Sequence, residues 1–455
     1  MKPEALSFHE LNAILIDRLG KTRCYVGKRW SYLKLFQHAI SYSANNWSHK
    51  LLPVNWTQPW PVIALRFFLK TVRAPRAKRP ELKEIVVIDP GRSVIEQDRV
   101  VSAYFDKVLH WIGRDRTTVI TVREEGMRYS DYLRGALPQP QLPPDKEELL
   151  VLRELVTVCR ATRASRAFSG FEMHQISSSF EVFFTSFRFW YHLFLNQPVK
   201  RIIFTSHYHN EGLIAACDVL HIRLDELQHG LIAANDVYNV YPTIFRDAVK
   251  NALFPKRIYV YGEYWKRMLL NGCEHSEEEI VVAGDYLSGS AEAIPEHPEK
   301  KNVILIGAQK RMWPAYDHIL THLTALLKIH SDWSVLIRLH PLEDRPDRYE
   351  AFVSDRMTIC SKSMTLHECL VLCRIQVSIY STTFYDALGY DMVNFAVKAT
   401  GFEQYVSDMV SEGVAYELHP DEDPIHRYRE LVRAGWQHIT RDEVYAAPNP
   451  GAIIP

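Results

Sequence analysis

Three groups of residues in this chain have the types and spacing that chemistry requires. The first is Ser381-Thr382-Thr383, at the junction between a β-prone run, Val377 to Tyr380, and a stretch of helical spacing, Phe384 to Leu388. With Thr383 as N-cap and Asp386 three residues on as a capping-box partner, these hydroxyls meet the open amides of a helix start. Such an end carries a partial positive dipole and can hold a phosphate. The second group is His340-Pro341, which closes the apolar strand Trp333 to His340. Proline has no amide hydrogen to continue the ladder, and an imidazole placed there can donate to a phosphate or ribose oxygen. Gly307 ends the preceding strand, Lys301 to Gly307, and supplies a small turn before Lys310 and Arg311. Those two cations suit either the expected phosphate or plain surface solvation. The third group is rich in acids and imidazoles: Asp225, Glu226 and His229 sit in Leu224 to Gly230, while His207, His209 and Glu211 follow the strand before it. A His-x-His-x-Glu loop is a weak metal signal, since zinc wants a further strong ligand in defined geometry. It reads better as a polar rim.

These groups must be positioned by strands alternating with helices. Apolar runs occur at Glu84 to Asp89, Thr117 to Val122, Arg201 to Ser206 and His221 to Leu227, then at Arg257 to Gly262, Glu279 to Asp285, Lys301 to Gly307, Trp333 to His340, Val377 to Tyr380 and Met392 to Ala396. Between them lie helical stretches such as Asp145 to Thr162 and the aromatic segment Phe180 to Asn196, whose rings suit an internal helix. Helical spacing also marks Phe8 to Leu19 and Trp30 to Ile40, though the first 80 residues show no regular alternation. The Pro-rich segment Leu137 to Pro144 is a loop. In parallel sheets, groups just past the carboxyl ends of strands face the ligand crevice. All three groups fall there. The reading is an α/β protein with two domains facing a central cleft, residues 1–255 on the acceptor side and 256–420 on the nucleotide side. A C-terminal helix and tail, 421–455, is expected to cross back onto the first domain.

At 455 residues the chain is long for one core, and two domains are the natural expectation. Its 47% hydrophobic and 24% charged residues are those of a folded globular protein. Lys+Arg and Asp+Glu are equal at 54 each, which gives no global basic field and argues against nucleic acid as a partner. A basic segment, Thr71 to Arg79, follows the aromatic run Trp60 to Leu69 and suits a peripheral membrane contact, although a helix followed by a basic loop explains it better. The seven cysteines include no CxxC spacing, which fits a reducing, cytoplasmic setting. A signal peptide is not expected at this N-terminus. No G-x-G-x-x-G fingerprint follows an early strand, so a dinucleotide enzyme is disfavoured.

The ordered set of His340-Pro341 and a Ser381-Thr-Thr cap resembles bacterial glycosyltransferases of the two-Rossmann-domain GT-B class, notably the sialyltransferases and Kdo transferases that use CMP-activated sugars. Leu224-Asp-Glu-Leu-Gln-His-Gly230, Tyr241-Pro242 and Tyr261 to Lys266 are similar to capsule and O-antigen transferases. The resemblance spans roughly residues 200 to 400. It implies that His340, Pro341, Ser381 and Thr382 bind the cytidine monophosphate moiety, with Kdo or a sialic-acid-like sugar as the transferred group. A growing glycan or lipid-linked glycan of capsule or lipopolysaccharide would be the acceptor. Neither a tightly bound cofactor nor a required metal is implied, and no isolated Asp-x-Asp is present to bridge a diphosphate through a cation.

Glycosyl transfer needs the nucleotide leaving group stabilised and, with inversion, a base for the acceptor hydroxyl. Glu226 and His229 are the nearest candidates, and Asp225 remains open as the base. Alternation places Glu226 and Asp225 on opposite faces of their strand. The resembled families set an acidic pair before a glycine, whereas Gln228-His229 intervene here before Gly230. The alternatives are a CDP-glycerol-type glycerophosphotransferase, a UDP- or GDP-sugar transferase or epimerase, and a noncatalytic scaffold of polysaccharide assembly.

Overall fold

The computed structural model describes residues 8–19, 22, 24–45, 81–91, 93–96, 99–121, 144–233, 239–287, 300–309, 312–340, 343, 345–361, 364–399 and 403–454. Pro341, Lys310, Arg311, the basic segment 71–79, the aromatic run 60–69 and most of the Pro-rich loop lie outside them. The chain divides into two compact units, 1–290 with 446–455, and 291–445.

Unit 1 is built on six parallel strands, β1 (Ile85–Asp89), β4 (Thr117–Thr121), β5 (Arg201–Thr205), β6 (Arg223–Leu227), β7 (Arg257–Val260) and β8 (Ile280–Val282), in the spatial order β4-β1-β5-β6-β7-β8. A small antiparallel pair, β2 (Ser93–Glu96) with β3 (Arg99–Ser102), follows β1. The expected restart of a second domain at 256 is corrected here. Asp225 pairs with Arg257 and Ile258 with Ile280, so β7 and β8 extend the first sheet.

Four helices support this unit's site: α1 (Leu33–Asn45), α2 (Lys146–Ser165), α3 (Gly170–Phe194) and α4 (Glu211–Val219). Capping boxes fix the starts of α2, at Asp145 with Glu148, and α3, at Ser169 with Glu172. The aromatic residues of α3 pack as internal contacts: Phe180 and Phe183 meet Tyr32 edge-on at 5.6 Å, and Phe187 stacks on Tyr191 at 5.5 Å. Gly212 lets α4 close on α3. A Cβ there would lie 2.6 Å from the Phe187 amide nitrogen and 2.7 Å from the Phe183 carbonyl oxygen, so no other residue fits without moving a helix. That contact fixes Glu211, one residue earlier.

Unit 2 carries β9 (Val303–Gly307), β10 (Ser334–Arg338), β11 (Met357–Ile359), β12 (Ile375–Ser378), β13 (Val393–Val397) and β14 (Tyr416–Leu418) in the order β11-β10-β9-β12-β13-β14, all parallel. Its core gathers Ile304, Ile306, Ile337, Val377 and Phe395 with Leu320 and Leu323 of α5 (Trp313–Ile329). Helix Pro424–Ala434, expected to cross to the first domain, instead packs Ile425, Tyr428 and Leu431 on unit 2. The segment that joins unit 1 is the last ten residues. There the Asp285 amide donates to Ala446 O (3.0 Å) and the Asn449 amide to Ala283 O (2.9 Å).

Candidate functional site

Strand order locates the candidate sites before any side chain is considered. In an open α/β sheet, ligands bind beyond the carboxyl ends of strands at the point where the order reverses direction. In unit 1 that point lies between β1 and β5, and in unit 2 between β9 and β12. The loops after β5 and β12 carry His207, His209, Ser381 and Thr382, while Asp225, Glu226 and His229 belong to the neighbouring β6 and its loop and His340 follows β10, the neighbour of β9.

In unit 1, β5 runs into Ser206 to Asn210, where Ser206 (φ +64°) and His209 (φ +66°) both adopt the left-handed conformation. Such backbone costs on the order of 1 kcal/mol or more per residue and persists only where the surroundings impose it. Here side chains do so. The His207 amide donates to Glu226 Oε1 (3.1 Å), and its ring pairs with Glu226 Oε2 through Nδ1 (2.7 Å). Asn210 Nδ2 donates to Ser206 O (2.8 Å). Burial pushes the Glu226 carboxyl up, but the His207 imidazole, by charge and hydrogen bond, together with His229, more than offsets it, so Glu226 lies below the usual carboxylate range. Glu226 is 4% exposed and His207 1%. The pair orders the loop from inside.

The group that reaches outward is His229. It is half-buried, and its Nε2 is 2.8 Å from the Tyr208 hydroxyl. Gln228 braces the turn before it, accepting the Tyr261 amide (3.1 Å) on its side chain, while its carbonyl accepts the hydroxyls of Tyr261 (2.7 Å) and Tyr286 (2.9 Å). Asp225 points the other way along β6, into an ion pair with Arg201 (2.6 Å) and Arg223 (2.9 Å). Arg201 also donates to Ile453 O (2.6 Å), so this acid anchors the C-terminal tail. Asp225 is fully buried and saturated by guanidinium groups, and its geometry is that of a structural anchor rather than a base.

Residues of α1, which the sequence did not connect to any site, complete the cluster. Lys34 and His38, one helical turn apart, both reach Glu211: Lys34 Nζ at 3.8 Å and His38 Nε2 at 2.9 Å from Oε1. Lys34 also donates to the carbonyls of His207 (3.2 Å) and Leu253 (3.0 Å). Burial pushes the Lys34 ammonium down to about 8 despite Glu211, Glu226 and Glu274 nearby. Burial raises the Glu211 carboxyl, but His38, Lys34 and His209 hold it well below the carboxylate range. The His209 ring meets His38 at 4.3 Å, tilted by 31°, and the His209 amide donates to Glu211 (3.2 Å). The motif is therefore divided: His207 pairs with Glu226, while His209 and Glu211 gather around His38. Among the described residues no group of three His, Cys, Asp or Glu side chains could hold a metal ion.

In unit 2 the Gly307 carbonyl accepts from Ser378 Oγ and from the Tyr316 hydroxyl, each at 2.6 Å. Gln309 Oε1 accepts the Tyr380 amide (3.1 Å). These bonds tie the loop after β9 to the loop after β12. Ser381 Oγ lies 2.9 Å from Thr383 Oγ1, which also takes a bond from Gln376. Ser381 and Thr383 are half-buried and Thr382 exposed. His340, half-buried, follows β10 on the same edge of the sheet.

The helix expected after the cap differs from its reading. Thr383–Asp386 is one turn, Thr382 occupies the N-cap position without a side-chain bond, and Asp386 accepts the Tyr445 hydroxyl (3.0 Å) instead of closing a capping box. One turn sums few peptide dipoles, so hydroxyls rather than a macrodipole would have to hold an anion here. The sequence also missed Tyr208, Gln309, Tyr316 and Ser378, whose roles arise only from pairing across strands.

No family model matches the chain, and no curated protein matches it. Solved structures do. An S. aureus MnaA–UDP co-structure aligns with 82% of this chain and 94% of its own at 11% identity, with a TM-score of 0.46. UDP-GlcNAc 2-epimerase from Neisseria meningitidis bound to UDP-GlcNAc covers 82% and 96% at 12% identity and 0.45. The calicheamicin glycosyltransferase covers 80% and 92% at 11% identity and 0.43. The strand orders define the class as an α/β protein of two Rossmann-like units. These matches run to UDP-GlcNAc 2-epimerases and glycosyltransferases rather than to CMP-sugar sialyltransferases or Kdo transferases. That finding overturns the resemblance drawn from the His-Pro and Ser-Thr-Thr motifs, along with the CMP donor and the capsule or lipopolysaccharide setting inferred from it. Among the described residues no helix is long and apolar enough to cross a membrane.

Proposed function

We propose that this chain is an enzyme acting on a sugar activated by a uridine nucleotide, of the epimerase or transferase kind. In this reading unit 2 holds the nucleotide and unit 1 supplies acid–base groups. The observation that carries it is the placement of two polar clusters at and beside the two strand-order reversals, where open α/β sheets bind ligands.

Inverting a sugar carbon and transferring a sugar share two demands. A proton must be moved at the sugar, and negative charge must be held at the phosphate. For the second, Ser381 and Thr382 offer hydroxyls and His340 an imidazole, on an edge braced by Gly307, Gln309 and Ser378. For the first, His229 is the group to touch substrate, with Tyr208 on its ring nitrogen. Glu226 acts through His207 and is a positioning residue.

The test is calorimetric titration of the whole chain with UDP and with CMP. UDP is the first ligand to try because it is the nucleotide named with two of the similar structures. Saturable binding of UDP in preference to CMP is expected. Absence of UDP binding, or tighter binding of CMP, would sink the proposal.

A further inference from the structure

Outside these clusters, a second set of reactive side chains lies at the β11 edge of unit 2's sheet. Cys360 directly follows β11, and Cys369 lies on α6 (Leu366–Leu372). Their sulfurs are 3.5 Å apart, and both are free thiols. The Arg338 guanidinium serves both: Nη1 is 3.7 Å from Cys360 Sγ and 3.8 Å from Cys369 Sγ, and it donates to Met364 O (2.8 Å). Cys360 is half-buried, whereas Cys369 is fully buried. A third thiol, Cys373, is fully buried one helical turn beyond Cys369. Burial, with Cys360 alongside, pushes the Cys369 thiol up to about 12.

We propose that Cys360 and Cys369 form a reversible dithiol–disulfide site whose oxidant is a small peroxide. The half-buried Cys360 is the attacking thiol and the buried Cys369 resolves it. In the first step the Cys360 thiolate attacks one peroxide oxygen, the O–O bond breaks, and hydroxide leaves, which on taking a proton becomes water. Cys360 is then a sulfenic acid. In the second step the Cys369 sulfur, losing its proton, attacks the Cys360 sulfur, an S–S bond forms, and the sulfenic oxygen departs as a second water. Two thiols are oxidised by two electrons and one peroxide is reduced, so the balance closes. A cation beside both sulfurs favours the thiolate that each step needs. The sulfurs lie 3.5 Å apart and must close to about 2 Å for the bond to form. A thiol reductant reverses the reaction by exchange.

The geometry sets a specific pairing. Cleavage after Arg356, Lys362 and Arg374 places Cys360 in one tryptic peptide and Cys369 with Cys373 in the next. The reduced full-length protein is treated with one equivalent of hydrogen peroxide, and digested without reductant for mass spectrometry. The expected result is a cross-link between those two peptides, with loss of two titratable thiols, both restored by dithiothreitol. Cys373→Ser should keep the cross-link and Cys369→Ser should abolish it. Cys360→Ser, at a half-buried position and independent of any folding defect at Cys369, should spare the thiols. Removing the cation, in Arg338→Met, is expected to slow thiol loss on the order of tenfold at neutral pH. Uncross-linked peptides carrying sulfinic acid, a cross-link that survives in Cys369→Ser, or thiol loss unchanged in Cys360→Ser would each overturn the assignment. An unchanged rate in Arg338→Met would overturn the role given to the guanidinium.

Discussion

Lys34 is a buried cation whose protonation is linked to folding, and the sign of that linkage can be worked out. Its ammonium titrates near 8 in the folded chain against an ordinary 10.5. Between those values the unfolded chain keeps a proton that the folded chain has shed, so stability rises with pH. At pH 7 both states are largely charged, and the folded state bears nearly the full cost of the buried charge. With about 1.4 kcal/mol per pKa unit, that cost is roughly 3 kcal/mol at pH 7 and under 1 kcal/mol at pH 10. The comparison is Lys34→Met, which removes the titration while leaving the tyrosines whose burial acts in the opposite sense at higher pH. Urea unfolding of both proteins at half-unit steps from pH 7 to 10 should show the wild type gaining roughly 2 to 3 kcal/mol relative to the variant. The gain should be steepest above pH 8. A difference that stays flat with pH, or falls, would refute the burial of a charged Lys34 between Glu211 and the carbonyls of His207 and Leu253.

Three further substitutions separate positioning, anchoring and nucleotide contact. Glu226→Gln can still accept the His207 amide but loses the charge-assisted bond to Nδ1, a stability cost of about 2 kcal/mol; turnover of a UDP-sugar should fall on the order of a hundredfold with UDP affinity unchanged. Asp225→Asn leaves Arg201 and Arg223 without their carboxylate and should lower the unfolding free energy by about 3 kcal/mol, while turnover per folded molecule, measured after size-exclusion chromatography, stays at the wild-type level. Ser381→Ala should weaken UDP binding by about 1 kcal/mol, roughly fivefold, in calorimetric titration, with no change in the pH profile of turnover.

Much of the fold was legible because buried parallel strands are apolar runs, as in Ile85–Ile88 and Val303–Ile306, and helices between them show their period. The division between domains was not. Pro255 before β7 looks like a restart, yet whether a strand joins one sheet or another depends on lateral pairing, and periodicity is silent on that. β11 and β14, three residues each, are too short to stand out. Within the candidate sites, alternation correctly separated Asp225 from Glu226, and the burial of Asp225 against two arginines explains why an acid faces inward there. The Ser381-Thr-Thr cap was found at the right junction, but the length of its helix was overestimated because Tyr385 to Leu388 keeps helical spacing while the chain turns at Gly389 (φ +89°). Lys34 and His38 show their i, i+4 spacing plainly on α1. Nothing local ties them to Glu211, nearly 180 residues on, so only the packed chain shows that link.

The most direct measurement of the central claim is proton NMR of UDP-GlcNAc incubated with the intact protein, alone and with added glycan acceptors. The account predicts enzyme-dependent change at the sugar, either a new epimer with the nucleotide bond intact or release of UDP by transfer. That change should slow on the order of a hundredfold in Glu226→Gln. A spectrum that remains unchanged for UDP-sugars while a CMP-activated sugar is consumed would contradict it.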